Sequence, residues 1–344
     1  MTSQMKAAVY TGVPTLEIRD IDIPQPSSQD ILVKIMACGV CHTDEGYLEG
    51  VPTFKKPPII LGHEPSGYVV EVGENVSGFT EGDRVLIPPV LTCGSCFACR
   101  NGRETLCQNQ QMLGNHIDGA FAEYVAVPAR DIVKLPLRLP LIESAIIADA
   151  IATPYHAVFN RAQVTPGDIA VVIGCGGVGI NVVQMLSVAG ATVVAIDLQD
   201  DKLELAQKLG AHVTINPQND DPKTVLKSSF SRVDVVFEVV GNPKTQQMGY
   251  DLLSAGGKLV LVGYSPKKWD GFNSGKVMFR ELEVLGSLGC PPRDFSRVIH
   301  LVKEGKVKLE PLVTSRYPLE KINEAFHELR GGRGIRTVVT IGDH

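Results

Sequence analysis

Apolar residues recur along this chain in two rhythms. Over the first third they come in short runs broken by glycine and proline. Residues 5–10 and 15–19 read as a hairpin around Gly12-Val13-Pro14, 21–28 as a proline-rich connector, and Asp30 to Met36 as an alternating strand. Tyr68–Val72, a turn at Gly82-Asp83 leading into Val85, Phe121–Val127 and Ile132–Leu135 continue the pattern. Many short strands with such turns predict a β-rich, barrel-like first domain. A helical period covers Glu143 to about Arg161 and is interrupted at Pro154. From Ile169 the rhythm becomes strand, helix, strand. Strands are expected at 169–173, 192–197, 213–215, 233–238, 257–262 and 282–286, with helices at 178–189, 200–209 and 243–254. Six strands joined by crossovers predict a doubly wound parallel sheet. After Pro291-Pro292 come helix 294–304, strand 312–316, helix 319–330 and strand 335–341, which have no place in a completed six-stranded sheet and are expected to rejoin the first domain. The chain thus reads as an α/β protein of two domains, 1–152 with 293–344, and 153–292.

The sharpest motif lies where the second rhythm begins. The buried-strand pattern Ile169–Ile173 breaks at Gly174, Gly176 and Gly179, which fit G-x-G-x-x-G, and a helix pattern follows from Val178. Gly174 permits a tight turn, Gly176 lets the backbone approach a pyrophosphate, and Gly179 lets helix and strand pack closely. The helix N-terminus then faces the phosphates. Asp197, 18 residues after Gly179, closes the next apolar run, where it would accept hydrogen bonds from ribose hydroxyls and favour NAD over NADP.

Composition narrows the field. Of 344 residues, 44% are hydrophobic and 21% charged, ordinary for a globular protein with ample core. The net charge of −5 advertises no nucleic-acid surface. No apolar span suits a membrane helix, and Met1 to Lys6 has no apolar signal core. Eight cysteines in such a chain argue for a reducing, cytoplasmic setting with thiolates used as metal ligands. Cys93, Cys96, Cys99 and Cys107 form C-x2-C-x2-C-x7-C, a set that holds zinc tetrahedrally and leaves no position open for substrate, as in a structural site. An iron–sulfur cluster is the alternative on ligand type.

A second metal centre does not emerge from spacing, because its candidates lie far apart. Gly62-His63-Glu64-x2-Gly67-x5-Gly73-x2-Val76, Cys41-His42-Thr43-Asp44, the four-cysteine lobe, Gly174–Gly179 and Asp197 together resemble the medium-chain zinc-dependent alcohol dehydrogenases, nearly end to end from Met5 to about Ile341. The resemblance implies a GroES-like catalytic domain and a Rossmann domain, with NAD and two zinc ions per chain. It implies Cys41, His63 and Asp149 as catalytic zinc ligands, with Glu64 able to approach the metal during exchange. Asp149 stands where many members have Cys and some have Asp, and an oxygen ligand makes the site harder. Thr43 resembles the hydroxyl that takes the alcohol proton, and Asp44 the carboxylate that orients His63. His42, Thr153, Gly177, Val178, Lys202 and Arg336 resemble cofactor contacts. One departure stands out: the family's usual relay histidine, five residues after the cysteine ligand, is Gly46 here.

The expected activity is hydride transfer between a primary or secondary alcohol, or its carbonyl form, and NAD. Gly46-Tyr47, Lys56-Pro-Pro58, Ala148-Asp-Ala150 and Gly289-Cys290 also resemble, in part, the 6-hydroxycyclohex-1-ene-1-carbonyl-CoA dehydrogenases, whose substrate is a cyclic hydroxyacyl-CoA. In that case Lys55, Lys56, Lys267 and Lys268 could meet phosphates; otherwise they are solvated. A non-catalytic or zinc-free member of the superfamily is the third reading, opposed by the retained Cys41, His63, Asp149 and Thr43. A small-molecule substrate is expected, with neither nucleic acid nor membrane as partner. A homotetramer is expected, with a homodimer as the alternative, through strands near 282–290. His156, His212, His300 and His327 read as structural or solvated, and Cys38, Cys175 and Cys290 as packing residues.

Overall fold

The structure is a computed structural model and describes residues 3–332 and 334–342. The signal-peptide reading at Met1 and Thr2, and the outermost ends of the expected first domain, lie outside the described residues. The chain divides into two compact units, Met1–Asp149 with Pro291–His344, and Ala150–Cys290.

In the first unit Gln4–Tyr10 and Leu16–Asp22 form the expected antiparallel hairpin, Tyr10 opposite Leu16. Its main sheet has seven strands. They run in the order Val133–Lys134, Arg84–Leu86, Glu64–Val72, Asp30–Gly39, Arg336–Thr340 and Val313–Pro318, with Tyr124–Pro128 also paired to Asp30–Gly39. The long strand Asp30–Gly39 is covered on both faces, so it reads as a nearly continuous apolar run rather than a clean alternation. Ile31, Val33 and Ile35 pack there with Val69, Phe121 and Phe326. The last strand pairs antiparallel with it, Val338 opposite Gly39 and Thr340 opposite Ala37. That pairing carries Arg336 to the end of the strand that leads into Cys41.

The second unit holds a six-stranded, all-parallel sheet: Val213–Ile215, Thr192–Ile196, Ile169–Ile173, Val235–Glu238, Lys258–Leu261 and Glu283–Gly286. Val193–Ile196 and Val235–Glu238 are wholly buried, as strands covered on both faces require. Helices Gly179–Ala189, Asp200–Lys208 and Pro243–Leu252 match the expected periods. Pro222–Ser229 and Ser274–Arg280 are helices that the apolar pattern does not mark. The signal for the first is chemical: Asp221 accepts from Thr224 N as N-cap, and Pro222 needs no N–H partner in the first turn.

One expected element differs. The helix foreseen over 143–161 is in pieces: Leu141–Ser144, a tighter turn at Ala145–Ile147, then Ala152–Tyr155 running into the wider coil His156–Ala162. The break falls at 148–151, not at Pro154. Pro154 sits in the first turn of the new helix, where backbone N–H groups have no intrahelical partner to lose. The break presents Asp149 on a turn. No helix among the described residues is long and apolar enough to cross a membrane.

Candidate functional site

Cys41 is the N-cap of the short helix His42–Leu48, and its carbonyl accepts from Asp44 N and Glu45 N. His63 follows Gly62, whose φ of +95° suits glycine and whose added Cβ would meet the Phe121 ring at 2.8 Å. Asp44, fully buried, ties the two segments together: Oδ1 accepts from Gly62 N at 3.0 Å and lies 3.2 Å from His63 Nδ1. The opposite ring nitrogen, His63 Nε2, lies 3.7 Å from Asp149 Oδ2. One ligand atom each from Cys41, His63, Glu64 and Asp149 falls within 4.8 Å of all the others.

This donor set fits zinc. Sulfur, imidazole nitrogen and carboxylate oxygen are its ordinary protein ligands, and three of these four donors would leave a fourth position for exchange. The electrostatics agree. Burial opposes ionisation of Cys41 most strongly, yet the Arg336 guanidinium and His63 outweigh it and lower the thiol pKa. Burial likewise disfavours charge on His63, but Asp44, Asp149 and Cys41 raise its pKa well above the usual value. A cluster that favours the ionised form of a buried sulfur, beside an imidazole between two carboxylates, suits a positive charge.

Thr43 is exposed on the first turn of the helix, its Oγ1 3.7 Å from Cys41 Sγ. His42 is exposed too, with Nε2 3.8 Å from Glu45 Oε2. Glu64 is fully buried, seated on Gly39, where a Cβ would stand 2.2 Å from Glu64 Oε2. Arg336, 4% exposed, donates from Nε to Glu64 Oε2 at 3.2 Å, and its Nη2 forms an ion pair with Glu64 Oε1. This partner for Arg336 was not legible in the sequence.

The four-cysteine lobe is equally compact. Cys96 Sγ lies 3.5 Å from Cys99 Sγ and 3.9 Å from Cys107 Sγ, close to the ~3.8 Å edge of a tetrahedron with zinc–sulfur bonds of ~2.3 Å. Backbone N–H groups of Cys93 and Cys96 point at Cys107 Sγ and Cys93 Sγ. Backbone hydrogen bonds from Ser95 and Cys96 lower the Cys93 pKa to about 5, whereas burial and the neighbouring thiols push Cys99 up to about 12. Four thiols this close cannot all ionise without a cation among them, and the eight described cysteines form no disulfide.

In the second unit the glycine turn has the expected division of labour. Gly174 has φ +93°, and a Cβ on Gly179 would strike Gly174 O at 1.8 Å. A Cβ on Gly176 would meet nothing within 4 Å, so that glycine faces open space fit for a phosphate to approach the backbone. Gly177 and Val178 continue the turn, Val178 as N-cap of Gly179–Ala189. Asp197 is half-buried; Oδ2 accepts from Cys175 N at 2.7 Å and Oδ1 from Gln199 N at 3.0 Å. These bonds aim the carboxylate across the turn and leave further lone pairs for a ribose. Lys202 lies half-buried in the first turn of Asp200–Lys208, and Thr153 is buried in Ala152–Tyr155.

Residues 27–137 match the alcohol dehydrogenase GroES-like domain, and residues 177–304 match the zinc-binding dehydrogenase domain. An alcohol dehydrogenase of Geobacillus stearothermophilus is 36% identical over 332 residues, covering 96% of this chain and 97% of the relative. An NAD-dependent alcohol dehydrogenase of Sulfurisphaera tokodaii is 34% identical over 97% of this chain and 98% of its own length. Among solved structures, a Sinorhizobium meliloti 1021 chain bound to NADP superposes with a TM-score of 0.90 at 33% identity, over 98% of this chain and 100% of that one. The two matched domains, and relatives alike along almost their whole length, place this chain in the medium-chain zinc-dependent alcohol dehydrogenase family.

Proposed function

We propose that this oxidoreductase transfers hydride between a primary or secondary alcohol and NAD, and reduces the corresponding carbonyl in reverse. The observation that carries the reading is the convergence of Cys41, His63, Glu64 and Asp149 within 4.8 Å, with the Thr43 hydroxyl at its edge. Cys41, His63 and Asp149 would hold zinc, which when bound would supply a Lewis acid that lowers the pKa of an alcohol. NAD supplies the hydride acceptor. The side chains do the rest. Thr43 takes the alcohol proton, and Asp44 holds His63 in one tautomer and orientation. Arg336 holds the Glu64 carboxylate in a buried ion pair beside the other donors. Gly46 offers no side chain to receive the proton from Thr43, so a ribose hydroxyl, water or another base ends the relay. The four-cysteine lobe holds a second zinc with a structural role.

Asp197 supports NAD over NADP, because its carboxylate would repel a 2′-phosphate. His42, Thr153, Val178, Lys202 and Arg336 are proposed cofactor neighbours. The cyclic hydroxyacyl-CoA reading is the alternative; of its four lysines, Lys55 is paired at the surface, Nζ 2.6 Å from Asp118 Oδ2. A cytoplasmic homotetramer, or a homodimer, assembling through the edge strand Glu283–Gly286, is consistent with this reading. The test is turnover of simple alcohols with NAD and with NADP by zinc-loaded protein. Faster turnover with NAD is expected, and no turnover of any alcohol with either cofactor contradicts it.

A further inference from the structure

Glu238 is wholly buried, and nothing in the chemistry above uses it. It ends the strand Val235–Glu238, with Ile173 beside it on one neighbouring strand and Leu261 on the other. In chain order these are the fourth, first and fifth strands of the sheet. The order therefore reverses between Ile169–Ile173 and Val235–Glu238. Sheets of this kind bind ligands in the crevice at the carboxyl ends of the strands where that reversal occurs.

The carboxyl group organises the turn that follows. Its Oε1 accepts from Val240 N at 3.0 Å, Gly241 N at 2.9 Å and Thr245 Oγ1 at 2.8 Å. The main-chain oxygen of the same residue accepts from Val262 N and Gly263 N. One residue thus fixes the turns after two adjacent strands and the first turn of Pro243–Leu252. Among the described residues its Oε2 has no hydrogen-bond partner, so the carboxyl is held here at a desolvation cost.

The fixed turn lies against the glycine fingerprint. A Cβ on Gly174 would stand 2.7 Å from Val240 Cγ2. On its far side Gly241, at φ +73°, is wedged so that a Cβ would meet Tyr264 O at 2.0 Å. Held between the two, Val240 still exposes 51% of its surface, an apolar face beside the turn that would receive a pyrophosphate.

We propose that Glu238 is a positioning residue for the dinucleotide: by accepting from the Val240–Gly241 turn it sets Val240 as the apolar wall on which the bound nucleotide packs. This rests on Gly174–Gly179 being an NAD site. Glu238→Ala, Glu238→Gln and Val240→Ser in the zinc-loaded full chain test it, by NAD titration, by KM and kcat, and by zinc content and melting temperature. Glu238→Ala is expected to weaken NAD binding about tenfold and to raise KM for NAD by a similar factor, with kcat changed less than about threefold. Glu238→Gln keeps the acceptor oxygen and is expected to restore binding to within about threefold of the parent. Val240→Ser, a change at an exposed side chain that does not threaten folding, is expected to weaken NAD binding as Glu238→Ala does. Parent-like NAD affinity in Val240→Ser or in folded Glu238→Ala overturns the proposal, and so does a loss in Glu238→Gln as large as in Glu238→Ala. A parent chain that binds no NAD overturns the dinucleotide reading itself, which separates the two failures.

Discussion

Arg336 and Glu64 form a buried ion pair, Nε to Oε2 at 3.2 Å, across 272 residues of sequence and directly beside the Cys41–His63–Asp149 cluster. Strand pairing makes the contact, since Val338 lies opposite Gly39 and Glu64 opposite Gly39 on its other edge. Removing one partner of a buried pair strands the other charge. Arg336→Met is therefore expected to destabilise the zinc-loaded protein by about 3 kcal/mol in urea unfolding. Adding Glu64→Gln is expected to recover much of the loss. A change in Arg336→Met within the range of an ordinary surface substitution contradicts the pairing.

Asp149 supplies oxygen where a thiolate would bind zinc with more covalent character. Under a zinc chelator, the parent chain is expected to release one zinc early and the other late. Asp149→Cys is expected to slow the early release at least about tenfold, and Asp149→Ala to lose that zinc during purification. Equal release from the parent and Asp149→Cys, read by a metallochromic dye, contradicts Asp149 as a ligand.

The lobe gives the opposite pattern. Cys107→Ser breaks a set of four thiols, two of whose sulfur–sulfur contacts are 3.5 and 3.9 Å. The variant is expected to lose the late zinc and to melt at lower temperature, while the early zinc still exchanges as in the parent. Loss of both ions together, measured by elemental analysis, contradicts two independent centres.

Glu238 gives a pH dependence with a definite sign. Burial raises its pKa, and the hydrogen bonds from Thr245, Gly241 and Val240 oppose that without cancelling it. A raised folded-state pKa contributes stability that is full below the ordinary glutamate value and is lost as pH rises through the raised one. Glu238→Gln cannot ionise, so its stability relative to the parent is expected to improve from acid towards neutral pH. Urea midpoints across that range check this, and a pH-independent difference contradicts it.

The parts of this molecule that were legible in the sequence are those written locally. The parallel strands announce themselves as apolar runs, the phosphate turn as Gly174, Gly176 and Gly179, and the lobe as four cysteines within fifteen residues, from Cys93 to Cys107. Cys41, His63 and Asp149 are different. They sit on three segments joined only by folding, and resemblance rather than spacing brought them together. The Arg336–Glu64 pair and the grip of Glu238 on its turn left no local signature, because each depends on register between strands or on a turn's exact path. The helix break at 148–151 was missed because proline looks like the breaker, whereas a first-turn proline costs the helix nothing and the interruption comes earlier.

The most direct measurement is the initial rate of NAD reduction with a simple secondary alcohol, followed by near-ultraviolet absorbance, on the parent chain and on Thr43→Ala, Asp149→Ala and Asp197→Ala. The expected result is turnover by the zinc-loaded parent. Asp149→Ala is expected to lose it with its zinc, and Thr43→Ala to lower kcat at least about a hundredfold with zinc retained. Asp197→Ala is expected to raise KM for NAD while narrowing the preference over NADP. A parent chain with two zinc ions and bound NAD that transfers no hydride from any primary or secondary alcohol, or a Thr43→Ala chain that works as well as the parent, would contradict the assignment.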